Sequence, residues 1–188
     1  MDLILLQPGD PDFFGRNNEW SNGGSLISDQ WRDSGVDFGK CIELVSIHQV
    51  MKQQVTTDVR NSARTSGPPI VTEFTCVKYV DKLSVKFYDY CLRAHPIGSG
   101  SKQPTKIYIA RNAGDKTANI MTFVLRDAII SEIQFQSHPD DMPTEQFKLN
   151  FTEILWHYTV QQGDPATTEN LSAGWSLARN RPITQFSD

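Results

Sequence analysis

The sequence predicts a mainly β, antiparallel domain with one α-helix, closing as a barrel or a sandwich. Three observations predict it. Short apolar runs recur along the chain, separated by clusters of Gly, Pro, Asn, Asp and Ser. One segment, 84–94, carries helical spacing: Leu83, Phe87 and Cys91 are four apart, and Tyr88 and Leu92 fill the adjacent row. Residues 145–160 alternate with period two but change phase midway. Phe147, Leu149 and Phe151 are odd; Ile154, Trp156, Tyr158 and Val160 are even. No Gly or Pro is there to make a hairpin, so the phase change means a bulge or corner near Thr152-Glu153.

The elements follow in order. Residues 3–6 form a first strand. Residues 7–40 hold six of the twelve glycines, with Pro8 and Pro11, and read as a long loop. Its Phe13, Phe14, Trp20 and Trp31 are unusual in a solvated linker, and docking on the body is expected of them. Residues 41–50 form a strand with Ile42 and Leu44 on one face. Residues 56–69 are a polar segment whose core-forming content is Val59; it reads as a projecting arm or a surface loop. Residues 71–80 form a strand. The helix starts with Ser84 as a candidate N-cap and is ended by Pro96 and Gly98. Strands follow at 106–111, 120–126 and 129–136, with a turn at 112–115 and a loop at 137–143. After the bent 145–160 segment come a loop at 161–170, a last strand at 173–177 and a polar tail at 181–188. With 188 residues, this is one domain, 1–188.

Charge and motifs exclude several functions. Eighteen basic against 22 acidic residues leave a net charge of -4, which argues against bulk electrostatic binding of nucleic acid. The run Leu3–Leu6 is too short to span a membrane, and Asp2 precedes it where a signal peptide carries a basic residue. Neither membrane insertion nor a signal-directed route is expected. Three cysteines, Cys41, Cys76 and Cys91, without CxxC, point to a reducing compartment and no disulfide framework. His48, His95, His138 and His157 lack metal-ligand spacing. Asp140-Asp141 beside His138 reads as a solvated loop. Gly98-Ser99-Gly100-Ser101-Lys102 lacks the Walker spacing and precedes a strand. Cys91 reads as packing rather than a nucleophile. No catalytic residue, cofactor or metal is expected, and an assembly or binding role fits best.

Four motifs then resemble a known family. Residues 74–84 (FTCVKYVDKLS) resemble the strand-to-helix signature of the haemolysin-coregulated proteins, Hcp, of type VI secretion systems. Ala113-Gly114-Asp115-Lys116 and the run 125–133 (LRDAIISEI) are similar to its turn and paired strands. Residues 143–151 (PTEQFKLNF), with Trp156 and Tyr158, resemble its penultimate segment. Gly174-Trp175-Ser176-Leu177 with Asn180 resembles its closing strand. The motifs run in order over residues 41–180. Val85 stands where the family often has proline, Phe87 where it often has leucine, and Ile120 where it usually has an aromatic. The 7–40 loop is longer and more aromatic than the family's usual connection.

The resemblance implies an antiparallel two-sheet barrel with one flanking α-helix, related to phage tail-tube proteins. It implies a homohexameric ring with a lumen, stacked rings, a contractile sheath around them, a VgrG-type spike and effectors carried in the lumen. It implies no enzyme activity and export from the bacterial cytoplasm by the injection machine itself. The 56–69 segment corresponds to an extended loop that reaches the neighbouring ring, which assigns inter-ring contact to Thr57, Asp58, Arg60 and Arg64. The other reading is a monomeric ligand-binding β-barrel of carbohydrate-binding type, supported by Trp20 and Trp31. A catalytic effector would need a further domain.

Overall fold

Strand-forming runs and turn chemistry together build two stacked antiparallel sheets. The computed structural model describes residues 2–15, 40–56, 65–113, 116–159 and 170–187. The first strands are β1 (Asp2–Gln7), β2 (Ile42–Leu44), β3 (Ser46–His48), β4 (Met51–Lys52) and β5 (Val55–Thr56). Next come β6 (Thr65–Ser66), β7 (Ile70–Val71), β8 (Phe74–Tyr79) and the helix α1 (Ser84–Leu92). Then follow β9 (Thr105–Ala113), β10 (Lys116–Arg126), β11 (Ile129–Gln136), β12 (Thr144–Asn150), β13 (Glu153–Thr159), β14 (Asn170–Ser176) and β15 (Arg181–Pro182).

A seven-stranded sheet has the order β15-β14-β13-β10-β9-β1-β2, and a four-stranded sheet the order β11-β12-β8-β3. All pairings are antiparallel. The class is the predicted one, with one helix on the flank. The barrel, however, is not closed. The two sheets keep separate hydrogen-bond ladders because the chain crosses between them at corners. The segment 42–48 turns at Val45, whose N–H donates to the Val77 carbonyl at 2.7 Å. β10 passes into β11 through Asp127-Ala128, and β12 into β13 through Phe151-Thr152.

That second corner is where the alternation changes phase, as expected. Phe147 and Leu149 face the core from the four-stranded sheet, Phe151 fills the corner, and Ile154 faces the core from the seven-stranded sheet. The corner is stitched by Thr152, whose N–H donates to the Arg126 carbonyl at 3.1 Å and whose hydroxyl meets Asp127 Oδ2 at 3.0 Å. Asp127 adopts the left-handed conformation, φ 51°, a geometry that an Asp tolerates better than most residues. Its Oδ1 accepts the Gly100 N–H at 2.7 Å.

The helix departs from expectation at both ends. Ser84 is its first residue and not its N-cap. Leu83 is the N-cap and makes no side-chain cap hydrogen bond; just ahead of it, Asp81 Oδ1 accepts the Leu83 N–H at 2.9 Å, while Ser84 Oγ accepts the Asp81 N–H at 3.0 Å. This reciprocal pair satisfies donors at the helix start. Leu83, Phe87 and Tyr90 are the buried face, whereas Leu92 is 87% exposed. The core therefore takes Tyr90 in place of Leu92. At the C-terminus Ala94 takes a left-handed conformation, and the Ala94 and His95 N–H groups donate to the Cys91 and Tyr90 carbonyls at 3.1 and 2.9 Å. This is a Schellman arrangement, with the rings of Tyr90 and His95 in contact at 4.7 Å. Phe13 packs edge-on against Phe87 and Tyr90 at 5.5 and 5.1 Å. Tyr90 also donates to Asp10 Oδ2 at 2.7 Å. Phe13 and Phe14 thus dock on the body as expected; Trp20 and Trp31 lie outside the described residues.

A buried ion pair lies where β8, β12 and α1 meet. Lys78 and Glu145 are register partners, each 1% exposed, with Nζ 2.7 Å from Oε1. Lys78 also reaches Asp81 Oδ1 at 2.8 Å and the Tyr79 carbonyl at 3.0 Å. Ser84 donates to the same Glu145 oxygen at 2.8 Å. Burial and then the nearby Glu145 carboxylate push the Tyr88 hydroxyl up to about 12, and the second Glu145 oxygen, Oε2, is buried with no hydrogen-bond partner among the described residues. Lys78→Met should lower unfolding stability by about 3–5 kcal/mol, because Glu145 is left as an uncompensated buried charge. Lys78→Met with Glu145→Leu should recover most of that loss, as read by denaturant unfolding.

Glu153, at the corner, is buried. Burial alone would raise its pKa. Hydrogen bonds from the Ser187 side chain and backbone, Arg126 and Ser176 outweigh it and hold the group at about 2, below its ordinary 4.5. The ionised form therefore stabilises the fold above the ordinary value, and the benefit is lost as pH falls through about 5 to 2. Glu153→Gln should cost about 2 kcal/mol at neutral pH. The gap to the parent should close towards pH 2 in acid titrations of stability.

Candidate functional site

Among the described residues the four histidines lie on separate elements. His48 lies on β3 and His157 on β13. His138 is exposed in the loop after β11, its Nε2 2.7 Å from the Gln136 amide. His95, past the helix, has Nε2 3.7 Å from Asp10 Oδ2. Among the described residues no three His, Cys, Asp or Glu gather closely enough to hold a metal ion. The Gly98–Lys102 loop offers its Gly100 N–H to Asp127, so the donor that a phosphate would need is already taken. Burial pushes the Cys76 thiol well above its ordinary value and raises Cys91 as well. Both shifts disfavour the thiolate on which nucleophilic chemistry depends.

The most distinctive surface is an arm and the groove at its root. On either side of residues 57–64, within the polar segment read at 56–69, residues 51–56 and 65–71 pair as a two-stranded antiparallel ribbon. β4 pairs β7 and β5 pairs β6. Its root is tied by Thr72, whose hydroxyl accepts the Val50 N–H at 2.9 Å and bonds the Val50 carbonyl at 3.1 Å. Further out, the Gly67 N–H donates to the Gln54 carbonyl at 3.1 Å and the Gln53 amide donates to the Gly67 carbonyl. The ribbon carries exposed Met51, Val55 and Ile70. Apolar side chains on a narrow ribbon in water are the kind of feature a partner surface covers. Thr57, Asp58, Arg60 and Arg64 lie outside the described residues.

The ribbon's root opens onto an apolar groove of about 520 Å³, lined by Ile47, Gln49, Met51, Phe74, Met121, Phe123 and Trp156. A neighbouring hollow of about 320 Å³ continues past Trp156 to Trp175, Pro69 and Val71. The groove exists because the sheets differ in length. β10 runs for 11 residues and β8 for six, so the inner face of the long sheet overhangs the short one. The Trp156 Nε1 is buried with no hydrogen-bond partner among the described residues. Alternation alone reads Trp156 as ordinary core. The unequal strand lengths are the signal that could have marked it as a rim residue.

Comparison with known proteins gives a consistent answer. The model of the family described as "Type VI secretion system effector, Hcp" matches residues 35–158. Among curated proteins nothing matches. A solved type six secretion system protein is similar with a TM-score of 0.74 at 16% identity, covering 97% of this chain and 100% of its own. Hcp1 from Salmonella typhimurium is similar with a TM-score of 0.66 at 17% identity, covering 97% and 99%. A type VI secretion system effector from Yersinia pestis has a TM-score of 0.53 at 16% identity, covering 94% and 100%. At such identities the solved structures speak for the fold, and the family match speaks for membership.

The thiol environments give a direct test of the site reading. A maleimide at neutral pH should modify Cys91 slowly and leave the buried Cys41 and Cys76 untouched in the native protein. The unfolded chain should take up three labels, counted by intact mass. Fast, stoichiometric labelling of one native thiol would instead reveal an activated nucleophile.

Proposed function

The chain belongs to the Hcp family of type VI secretion systems, and from that premise we propose that it is a structural inner-tube subunit. In this reading six copies form a ring, and rings stack into a tube inside a contractile sheath under a VgrG-type spike. Effectors travel in the lumen. In this reading the protein resides in the bacterial cytoplasm before firing and leaves through the machine, and it has no enzymatic activity of its own. The observation that carries the reading is the family match over residues 35–158. An open two-sheet fold with exposed strand edges supports it, because such edges suit assembly by repeated contacts. A carbohydrate-binding role draws little from the groove, whose lining has Gln49 and Trp156 among Ile47, Met51, Phe74, Met121 and Phe123 and so offers few partners for sugar hydroxyls. Native mass spectrometry at micromolar concentration should show six times the 21.2 kDa chain mass. A monomer at every concentration would sink the tube reading.

Inter-ring contact is proposed for the 56–69 segment through Thr57, Asp58, Arg60 and Arg64, because the family resemblance assigns that segment to the neighbouring ring. Exposed polar contacts of this kind are worth about 1 kcal/mol or less each. Repeated around a ring they can still set stacking while allowing disassembly. Arg60→Glu with Arg64→Glu should leave the fold and the ring mass unchanged, by circular dichroism and native mass spectrometry. Tube length in electron micrographs and the amount of protein secreted should both fall. Normal stacking and secretion by the charge-reversed chain would remove the arm from this role.

A further inference from the structure

The C-terminal segment forms an arch pinned at both feet. At the near foot β15 pairs with Trp175 and Ser176 of β14, and the Ile183 N–H donates to the Gly174 carbonyl at 3.0 Å. Gly174 permits this approach, since a Cβ there would lie 2.9 Å from the Ile183 carbonyl oxygen. At the far foot the Ser187 N–H and hydroxyl donate to the two Glu153 carboxylate oxygens at 2.9 and 2.6 Å. Arg126 holds the same carboxylate at 3.1 Å, so the charge of Glu153 is already met there.

Between the feet the segment borders an open hollow of about 520 Å³, a volume in the range of small-molecule sites. The lining comes wholly from residues 179–187 and includes Arg179, Arg181, Thr184, Gln185 and Phe186. Asn180, between the two arginines, is left-handed at φ 47° and turns the chain into β15. Among the described residues neither Arg179 nor Arg181 has a carboxylate partner, whereas Arg93 pairs with Asp89, and Arg126 with Asp127 and Glu153. The side chains of Thr184 and Gln185 make no hydrogen bond among the described residues either. In a chain of net charge -4, two neighbouring cations without a partner set up a local attraction for an anion.

We propose that the hollow under this arch binds a small phosphate-bearing anion from solution, held by Arg179 and Arg181 with Thr184 and Gln185 as further donors. A planar carboxylate engages one guanidinium fork and balances one charge. A phosphate dianion balances both, and its tetrahedral oxygens leave acceptors for the Thr184 hydroxyl and the Gln185 amide. Phe186 and Pro182 give the same hollow an apolar side for whatever group carries the phosphate. The chain's negative charge opposes presenting the site to an anionic membrane, which favours a ligand free in solution. Every residue involved comes from one chain, so the inference is independent of the tube reading.

Titration calorimetry of the full chain with pyrophosphate, at an ionic strength held constant with sodium chloride, reads the site. Saturable binding of one pyrophosphate per chain is expected. Arg179→Gln and Arg181→Gln should each weaken it about tenfold, the effect of losing one charge-assisted hydrogen-bonding group, with circular dichroism unchanged. Ser187→Ala frees part of the far foot and removes no charge, yet it should also weaken binding, because the hollow loses its set shape. No saturable binding, or equal binding by the chain carrying both arginine substitutions, overturns the site. Unchanged affinity in Ser187→Ala overturns the part given to the arch. Capture of the protein by vesicles containing phosphatidic acid, without any binding of pyrophosphate, overturns a ligand free in solution.

Discussion

The Lys78–Glu145 pair holds the position of everything around it. Each residue is 1% exposed, and removing two charges from water is costly enough that a buried pair adds little net stability over an apolar one. Its contribution here is geometric. Lys78 and Glu145 face each other across β8 and β12, so a one-residue slip would turn one charge to the opposite face of the sheet. The same lysine and glutamate hold Ser84 and Asp81, which sets where α1 begins. Phe87 on that helix then meets Phe147 on β12 at 4.9 Å. Register, helix position and core thus share one small cluster. From Glu145 the register of β12 runs to the corner at Phe151-Thr152, which decides where the chain changes sheets.

This cluster also explains why the family resemblance works over segments distant in sequence. Lys78, Asp81 and Ser84 belong to the 74–84 motif and Glu145 to the 143–151 motif. In the fold the two motifs are one structure. The strands were legible because burial on one face imposes alternation, and the corner was legible because it shifts the phase of that alternation. The helix was legible in extent but not in its ends. Ser84 reads as an N-cap from its type and place, yet its hydroxyl is drawn to Glu145, and Leu83 stands at the N-cap. Leu92 reads as core from spacing, yet the last turn presents Tyr90 inward and leaves Leu92 in water. The single strand expected at 71–80 is two, because Val71 belongs to the ribbon and Thr72 ties back to Val50.

What the sequence did not reveal depends on pairings between distant residues. Nothing local says that Asp127 will hold the Gly100 N–H, or that Ser187 in a polar tail will bond the buried Glu153. The groove is of the same kind. Met121, Phe123, Trp156 and Trp175 each look like core residues, and only the unequal lengths of β8 and β10 leave them at an open rim. The closed barrel failed as an expectation for a related reason. Corners at 45, 127 and 151–152 carry the chain between sheets without a ladder, so closure by hydrogen bonds is replaced by closure through the backbone itself.

An open sandwich must handle its edges. A fully closed barrel has none, while an edge strand invites indiscriminate pairing. The outer part of β11 presents Ser131, Gln134 and Gln136 as exposed polar residues around one aromatic, a pattern that limits non-specific association. The net charge of -4 works in the same direction. On the other flank the apolar groove is recessed between the sheets and not displayed as a flat face, so it favours an occupant of matching shape. In the proposed tube, strength would come from repetition around a ring and along a stack rather than from any one contact. Such an assembly can form and come apart without unfolding its parts, since the Lys78–Glu145 cluster that fixes the fold lies inside each subunit and outside every proposed contact.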